Sequence, residues 1–336
     1  MIVGFPEMDN NTIIKTYHYR LCPTQEQLPV LHTYVNACRF VYNYGIGKIR
    51  EALQANQKPP TPFDLIYHLK DLKKQPDTAW IKQGHSQALV STMRDLNFAV
   101  RAYYREKKKG LLRQGFKGQG VKFGYPAFRA KGKSDSFRIH QDVTVEDSHL
   151  KVPKLGFVKF IEHRPLQGTL KTALVKFDGF NWYVSFIVEM ARTMYEVSNN
   201  PTANITVDGI ALQINGELIP EQHIDDKYDK RLRMLHKRLS RTQKDSKRRQ
   251  RAKLRLAKVY RKVKRIRKDY LHKLSHSIEN KYSTFNIVNV AIKESIVATK
   301  DSAQQKKIHD AGWGMFIEML RYKAQWKNKE VTKEKK

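Results

Sequence analysis

The chain has 336 residues, of which 64 are lysine or arginine and 32 are aspartate or glutamate, giving a formal charge of +32. This excess is typical of nucleic-acid-binding proteins. No run of 18 apolar residues occurs, which argues against a membrane-spanning helix, and the N-terminal segment lacks the order of a signal peptide. The two cysteines, Cys22 and Cys38, form no zinc ligand set. We expect a cytoplasmic bacterial protein with reduced thiols and no membrane partner.

The first third of the chain predicts one strand followed by helices. Residues 13–20 are rich in β-branched and aromatic side chains, which favour a strand. Thr24 with Gln27 forms a capping-box pattern, and the apolar spacing after it predicts a long helix. Residues 63–74 predict a short amphipathic helix, and residues 86–106 a longer one.

Three polar residues, His85, Ser86 and Gln87, stand where this last helix begins. Ser86 could cap the helix, which would explain the pattern by structure alone. Alternatively, an exposed polar helix end could contact base edges or phosphates. The sequence does not separate the two interpretations.

A connector rich in glycine and lysine spans residues 107–135 and interleaves aromatic with basic side chains. Lys122, Tyr125 and Phe128 belong to this stretch. The pattern suits single-stranded nucleic acid, by stacking and charge. A loop pinned by hydrophobic side chains is the equal alternative.

From Phe137 the apolar period becomes two, and short strands at intervals of about ten residues predict a small barrel or sandwich. After Pro201, Asn215-Gly216 predicts a hairpin turn. The predicted strands are 137–140, 143–145, 150–152, 158–161, 170–177, 182–189, 205–207, the two arms of 211–219, and 286–290, and a helix is predicted over 314–325.

Residues 226–278 predict a basic helical hairpin. Between Lys227 and Lys273 there are 22 lysines and arginines and three acids. Apolar residues nevertheless recur every three or four positions, and residues 240–246 interrupt the period as a turn would. Most charge runs are only solvated surface. So many charges of one sign, however, indicate a bound polyanion.

Several stretches, in this order and spacing, resemble the TnpB proteins of insertion-sequence transposons, relatives of type V CRISPR effectors. The stretches that carry the resemblance are Tyr19–Thr24, Cys38–Asn43, Ser86–Leu89 with Asp95–Leu96, Phe137–Arg138, Val152–Gly156, Trp182–Phe186, Arg238–Arg241, Asp269–Ser275 and Trp313–Gly314.

The resemblance implies an α+β multidomain protein that binds a guide RNA and, beside a short flanking motif, double-stranded target DNA. It implies a wedge-like β-barrel domain with an inserted helical recognition lobe, and then a RuvC-type, RNase H-like α/β domain that carries the basic hairpin. The implied domain boundaries are 1–22 with 123–198 for the barrel, 23–122 for the lobe, 199–330 for the RuvC-like domain and 331–336 for a basic tail.

Active members of the family cut DNA with three acids on divalent metal ions, because two-metal cleavage needs clustered carboxylates. Asp208-Gly209 could supply the first acid, although the residues that should follow it are too few. Asn289 stands at the glutamate position, and Glu294 lies beyond the strand. A third acid and its zinc ribbon are not found. We therefore expect lost nuclease activity and nucleic-acid binding that needs no metal.

The sequence thus predicts a monomeric RNA-guided DNA-binding protein that represses transcription by occupying promoter DNA. The alternatives are an active endonuclease of the same family and a guide-independent transposon remnant. The residues predicted near the flanking motif are Tyr42, Asn43, His85, Ser86 and Gln87. Those predicted to bind RNA or the heteroduplex are Lys15, Arg20, Arg39, Lys122, Tyr125, Phe128, Arg238, Arg241, Lys247, Arg248, Arg251 and Arg255.

Overall fold

A computed structural model divides the chain into two compact units, Met1–Ala191 and Arg192–Lys336. None of its described helices is long and apolar enough to cross a bilayer. The described residues are 12–108, 125–132, 135–140, 143–192, 201–220, 224–290, 292–299 and 301–333.

Two helices of the first unit begin next to capping boxes. Thr24 and Gln27 exchange two backbone–side-chain hydrogen bonds of 3.1 and 3.3 Å, as the capping pattern predicts. Thr61 and Asp64 form a second capping box. The helices are α1 (Gln27–Gln54), α2 (Pro62–Lys74), a 3-10 helix (Ala79–Gln83) that the sequence did not predict, and α3 (Ser86–Lys108).

An antiparallel sheet of seven strands curls into a half-barrel beside these helices. Its order is β2-β6-β7-β1-β5-β4-β3, and the edge strands β2 and β3 do not pair with each other in the described chain. The predicted barrel is therefore a half-barrel that is open between these two edge strands. The strands are β1 (Thr12–Cys22), β2 (Ser136–Ile139), β3 (Val145–Glu146), β4 (His149–Val152), β5 (Gly156–Ile161), β6 (Thr169–Phe177) and β7 (Trp182–Ala191).

The core of the first unit lies between α1, α3 and one face of this sheet. Tyr19, Phe160 and Phe186 are buried on the sheet, and Leu31 and Leu89 are buried on the helices. Because strand side chains alternate between faces, the residues between these strand positions point to the opposite, outer face.

The second unit has a mixed sheet in the order β10-β9-β8-β11-β12. The strands β10, β9 and β8 are antiparallel, whereas β8, β11 and β12 run parallel. Asn215 and Gly216 have φ of 53° and 83°, as the predicted hairpin turn requires. The strands are β8 (Thr202–Asp208), β9 (Ala211–Ile214), β10 (Glu217–Ile219), β11 (Thr284–Val290) and β12 (Glu330–Lys333). Residues 331–333, predicted as tail, thus belong to a strand.

Helices cover one face of the mixed sheet. Leu271 and Ile278 pack against its buried side together with Phe316 and Leu320. The helices are α4 (Ile224–Ser240), α5 (Lys247–Lys281), α6 (Ile292–Ala298), α7 (Ser302–Ala311) and α8 (Trp313–Trp326). The sequence prediction missed α6 and α7, which are short and carry little apolar periodicity.

A buried ion cluster fastens the C-terminal end of α5. The carboxylate of Glu279, with 1% of its side chain exposed, lies 2.8 Å from Lys327 Nζ and 3.1 Å from Lys329 Nζ. Lys323 Nζ donates to the His272 carbonyl and to Ser275 Oγ, each at 2.7 Å. Burial lowers the pKa of Lys323 to about 8, and the nearby Glu279 carboxylate opposes that shift.

Replacing either of two glycines of α1 by alanine should change the stability of the protein in opposite directions. A Cβ on Gly45 would lie 2.6 Å from Leu96 Cδ2 and 3.2 Å from Met93 Sδ, whereas a Cβ on Gly47 meets nothing within 4 Å. We expect Gly45→Ala to destabilise the protein by about 1–2 kcal/mol through overpacking. Gly47→Ala should stabilise it by about 0.5–1 kcal/mol. Urea unfolding of both variants measures the difference, and equal effects would contradict the α1–α3 contact.

Lys323 predicts a rise in stability at alkaline pH. Its folded-state pKa, about 8, lies below its ordinary value of 10.5, so the unfolded state holds the proton longer. The cost of burying the ammonium is complete below pH 8 and is relieved as the pH rises towards 10.5. Against a Lys323→Met variant, the wild type should gain stability between pH 8 and 10 and not between pH 6 and 7. Denaturant unfolding at each pH measures this, and parallel curves would contradict the shifted pKa.

Candidate nucleic-acid interface

The helical hairpin of α4 and α5 is held together by a narrow apolar seam. Leu232 and Leu235 of α4 are buried against Leu256, Val259 and Val263 of α5. These positions recur every three or four residues, so a single stripe of each helix is buried here and most of the exposed side chains are cations. The predicted hairpin is therefore confirmed, with α4 ending at Ser240 and α5 starting at Lys247.

The turn between the two helices is fixed by hydrogen bonds. Arg249 Nη1 donates to the carbonyls of Leu239 and Thr242, at 3.0 and 2.9 Å. Ser246 Oγ accepts from the Arg249 amide at 3.1 Å and caps α5. One arginine thus satisfies a C-terminal carbonyl of α4 and a carbonyl of the turn, and it ties the two helices together.

One side of the hairpin forms a groove of about 620 Å³, which we call the hairpin groove. Its cations recur at steps of three and four along each helix, so they form two facing rows. None of the residues that line it is acidic. They are Met234, Lys237, Arg238, Arg241, Thr242, Arg248, Arg251, Ala252 and Arg255.

The hairpin groove brings together five of the six hairpin residues that the sequence singled out for the heteroduplex. The sixth, Lys247, is exposed at the start of α5 and does not line the groove. Arginine side chains suit phosphate because the planar guanidinium can donate two parallel hydrogen bonds to it. The groove therefore has the charge and the hydrogen-bond donors that suit a phosphate backbone, and contact of these residues with RNA or a heteroduplex stays a prediction.

Tyr42 and Asn43, predicted near the flanking motif, are occupied within the protein. Tyr42 is 7% exposed, and the guanidinium of Arg129 lies 3.6 Å from the centre of its ring. The Asn43 amide accepts from the Arg129 backbone at 2.7 Å and donates to its carbonyl at 3.1 Å. Direct DNA contact by these two side chains does not fit these contacts. We interpret them as positioning residues for the Arg129 segment.

The same segment carries two aromatic residues predicted to stack on nucleic acid. Arg50 lies 4.6 Å from the Phe128 ring centre and 5.9 Å from that of Tyr125, and it donates to the Pro126 carbonyl at 3.3 Å. Tyr125 packs against the core, whereas Phe128 is 52% exposed. The structure thus favours the pinned loop and leaves the Phe128 ring accessible. Lys122 lies outside the described residues.

Arg39, predicted to meet RNA, forms an ion pair instead. Its Nη1 lies 3.1 Å from Asp135 Oδ1, and the two side chains are only 17% and 7% exposed. Asn36 accepts from its other guanidinium nitrogen at 2.8 Å. Arg39 therefore joins α1 to the segment before β2. Of the other two predicted RNA contacts in the first unit, Arg20 is exposed on β1 and Lys15 is half-buried there.

The start of α3 shows which contacts His85, Ser86 and Gln87 make within the protein. The Leu89 amide donates to the His85 carbonyl at 3.2 Å, so His85 precedes the helix and Ser86 is not its cap. Ser86 Oγ accepts from Lys73 Nζ at 3.1 Å, and Gln87 is half-buried. Burial and then the Lys154 charge lower the pKa of His85, which favours the neutral imidazole. DNA contact by the triplet stays a prediction.

The candidate metal site lies at the carboxyl end of the mixed sheet. Asp208 is the last residue of β8, and Ser295 Oγ donates to its Oδ1 at 3.3 Å. On the neighbouring strand β11, Asn289 is in register with Thr206. Within the described ranges no group of three or more His, Cys, Asp or Glu side chains could hold a metal ion. The Asn289 and Glu294 side chains lie outside the described residues, so the loss of metal binding stays a prediction.

The grooved hairpin on a mixed sheet gives this protein a concentrated cationic surface of the kind that nucleic-acid-binding proteins carry. Residues 215–297 match the OrfB_IS605 family model, described as "Probable transposase". Residues 8–58 match HTH_OrfB_IS605, described as "Helix-turn-helix domain", although the described part of that range contains strand β1 and helix α1.

Two relatives match almost the whole chain. "Putative RNA-guided DNA endonuclease InsQ" of Escherichia coli (strain K12) is 24% identical over 95% of this chain and 79% of its own. "Putative RNA-guided DNA endonuclease" of Streptomyces pristinaespiralis is 24% identical over 95% of this chain and 76% of its own. These matches support the OrfB_IS605, or TnpB, family that the sequence resembles.

A solved structure shares the fold. The protein in "Cryo-EM structure of the Cas12f1-sgRNA-target DNA complex" matches 97% of this chain and 89% of its own, with a TM-score of 0.50 and 12% identity. The chain is therefore an α+β protein of Cas12f-like fold, with a curled antiparallel sheet and a mixed sheet.

Proposed function

We propose that this protein binds DNA under the direction of a guide RNA and that its nuclease centre no longer holds a working set of metal ligands. The observation that carries the proposal is the hairpin groove, in which two rows of arginines face each other without an acid. A guide–target heteroduplex is recognised through its backbone, and such a groove supplies backbone contacts in any sequence context.

The mixed sheet supports the second half of the proposal. Three antiparallel strands extended by two parallel ones form an RNase H-like arrangement, in which metal-binding acids project from neighbouring strands. Here Asp208 ends β8, and Asn289 stands on β11. A neutral amide is a weak Mg²⁺ ligand beside a carboxylate. On this basis the bound DNA is held and not cut, and occupancy of a promoter would repress transcription.

The second candidate is an active RNA-guided endonuclease. The names of both relatives favour it, since each is called an RNA-guided DNA endonuclease. The two candidates share the guide RNA, the target DNA and the hairpin groove. They differ only in whether Asp208 and its neighbours can organise metal ions.

The hairpin groove predicts a specific loss of affinity. We expect the double variant Arg251→Ala/Arg255→Ala to bind a heteroduplex of about 20 base pairs roughly ten- to hundredfold more weakly, because two charged contacts to phosphate are lost. The slope of log K against log salt should fall by about one per lost contact. Fluorescence anisotropy across a salt series measures both quantities.

The matched control is Lys253→Ala/Lys264→Ala, which removes the same charge from exposed positions of α5 that do not line the groove. We expect this variant to stay within about threefold of the wild type. Equal losses in the two double variants would show that only total charge matters, and the groove assignment would be wrong.

The two candidates are separated by a cleavage assay. The protein purified with its RNA is mixed with Mg²⁺ and DNA that matches the guide beside a library of flanking sequences. We expect guide-dependent binding without cut products, and we expect Asp208→Ala to bind within about twofold of the wild type. Cut products that disappear in Asp208→Ala would establish the endonuclease instead.

Sequencing the co-purified RNA tests the guided mechanism itself. A single RNA species with a defined 3′ end is the expected result. A random mixture of RNAs would favour the guide-independent remnant.

A further inference from the structure

The outer face of the seven-stranded sheet carries an organised set of side chains that neither the core nor the hairpin groove uses. Along β1, Tyr17, Tyr19 and Leu21 are buried, whereas His18 and Arg20 between them point outward and are exposed. Because β1 is the central strand of the sheet, these outward residues lie in the middle of the face and not at its edge.

A row of four side chains crosses this face at Arg20. The register pairs Arg20 with Tyr183 on β7 and with Ile161 on β5, and it pairs Tyr183 with Lys176 on β6. Directly paired residues in neighbouring strands point to the same face. From β6 to β5, the row therefore consists of Lys176, Tyr183, Arg20 and Ile161. The Ile161 side chain is 49% exposed.

His18 and Tyr183 form a stacked pair beside this row. Their ring centres are 5.1 Å apart and their planes differ by 13°. His18 Nδ1 and Ser185 Oγ are 2.9 Å apart, and Asn181 Nδ2 donates to the Tyr183 hydroxyl at 3.3 Å. Both rings are thus held in one orientation by neighbouring polar groups, so little side-chain entropy remains to be lost when a flat ligand stacks on them.

The charge of this face is positive. Glu189 is engaged by Lys171 Nζ at 2.5 Å, and Glu162 accepts from Ser148 Oγ. Glu146 at the β3 edge is an exposed acid on this face, and it is outnumbered by exposed cations at other outward strand positions, which lie together with the exposed ring of Phe157, 42% accessible, near the β5 end. These cations are Arg20, Lys151, Lys159 and Lys176.

We propose that this surface, which we call the stacking platform, binds unpaired bases of the guide RNA by stacking on His18 and Tyr183, with Arg20 and Lys176 holding the flanking phosphates. The inference rests on the proposed function, because it takes the guide RNA as the resident ligand. Flat aromatic rings set among cations on a sheet are a general solution for single strands.

A duplex does not fit as the occupant, because each base face inside a duplex is covered by the neighbouring base in the stack. Ribose also matches the polar groups on the platform. The hydroxyls of Ser185 and Tyr183 lie beside the rings and can hydrogen-bond a 2′-hydroxyl, the group that distinguishes RNA from DNA. The platform is therefore assigned to unpaired RNA.

The experiment uses the full chain and a ten-nucleotide unstructured RNA carrying 2-aminopurine. Tyr183→Ala should weaken binding about 5- to 150-fold and abolish the fluorescence quenching caused by stacking. Tyr183→Phe, which keeps the ring and loses only the hydroxyl, should retain the quenching and weaken binding by no more than about tenfold, the worth of one hydrogen bond. A control on the same strand and face, Ile187→Ala, reports general loss of sheet packing, and thermal unfolding is compared for all variants.

The outcomes separate this inference from the proposed function. If the wild type binds the heteroduplex and the short RNA, but Tyr183→Ala leaves both RNA affinity and quenching unchanged, the platform is wrong while the proposed function stands. Equal affinity for a DNA oligonucleotide of the same sequence would overturn the assignment to RNA. If the wild type co-purifies with no defined RNA, the proposed function fails first.

Discussion

The apolar seam between α4 and α5 is the contact on which the proposed function depends. It consists of a few leucine and valine side chains, each worth about 1.5–3 kcal/mol when buried. Against it stands the mutual repulsion of 22 cations in 47 consecutive positions, Lys227 to Lys273, which salt screens only beyond about 8–10 Å. The seam holds these charges at fixed distances before any ligand arrives. Part of the electrostatic cost of assembling a phosphate-binding surface is thus met during folding, and a bound backbone relieves it.

Much of the fold follows from local sequence, and the hairpin shows why. Periodicity of three and four predicts α4 and α5 almost to their ends, and Asn215-Gly216 predicts its turn because few residue pairs tolerate positive φ twice. The open edge of the curled sheet could not be predicted in this way. Strands β2 and β3 have only four and two residues, and whether edge strands meet depends on distant parts of the chain. Helices α6 and α7 were not predicted from the sequence because short helices carry little periodicity.

The predicted site residues also divide into those that local sequence identifies and those that depend on distant parts of the chain. The arginines of the hairpin groove could be chosen from sequence because helical spacing fixes which side chains share a face. Tyr42, Asn43 and Arg39 could not be judged in this way, since their partners Arg129 and Asp135 lie some 90 residues further along the chain. The His18–Tyr183 pair is a similar case. Nothing near His18 in sequence announces an aromatic partner 165 residues away, and only the register of β1 against β7 brings the two rings together.

The central position of β1 has a consequence for how the protein is made. Thr12 to Leu21 pair with Trp182 to Ala191, so β1 waits after its synthesis for β7, the last strand of its sheet in chain order. At a synthesis rate of about 5–20 residues per second, that wait is roughly 10–35 s. The helices α1 to α3 can form early through their own backbone hydrogen bonds, while most of β1 remains an unpaired and partly apolar strand. Nascent chains of this protein therefore present a natural substrate for ribosome-associated chaperones until β7 emerges.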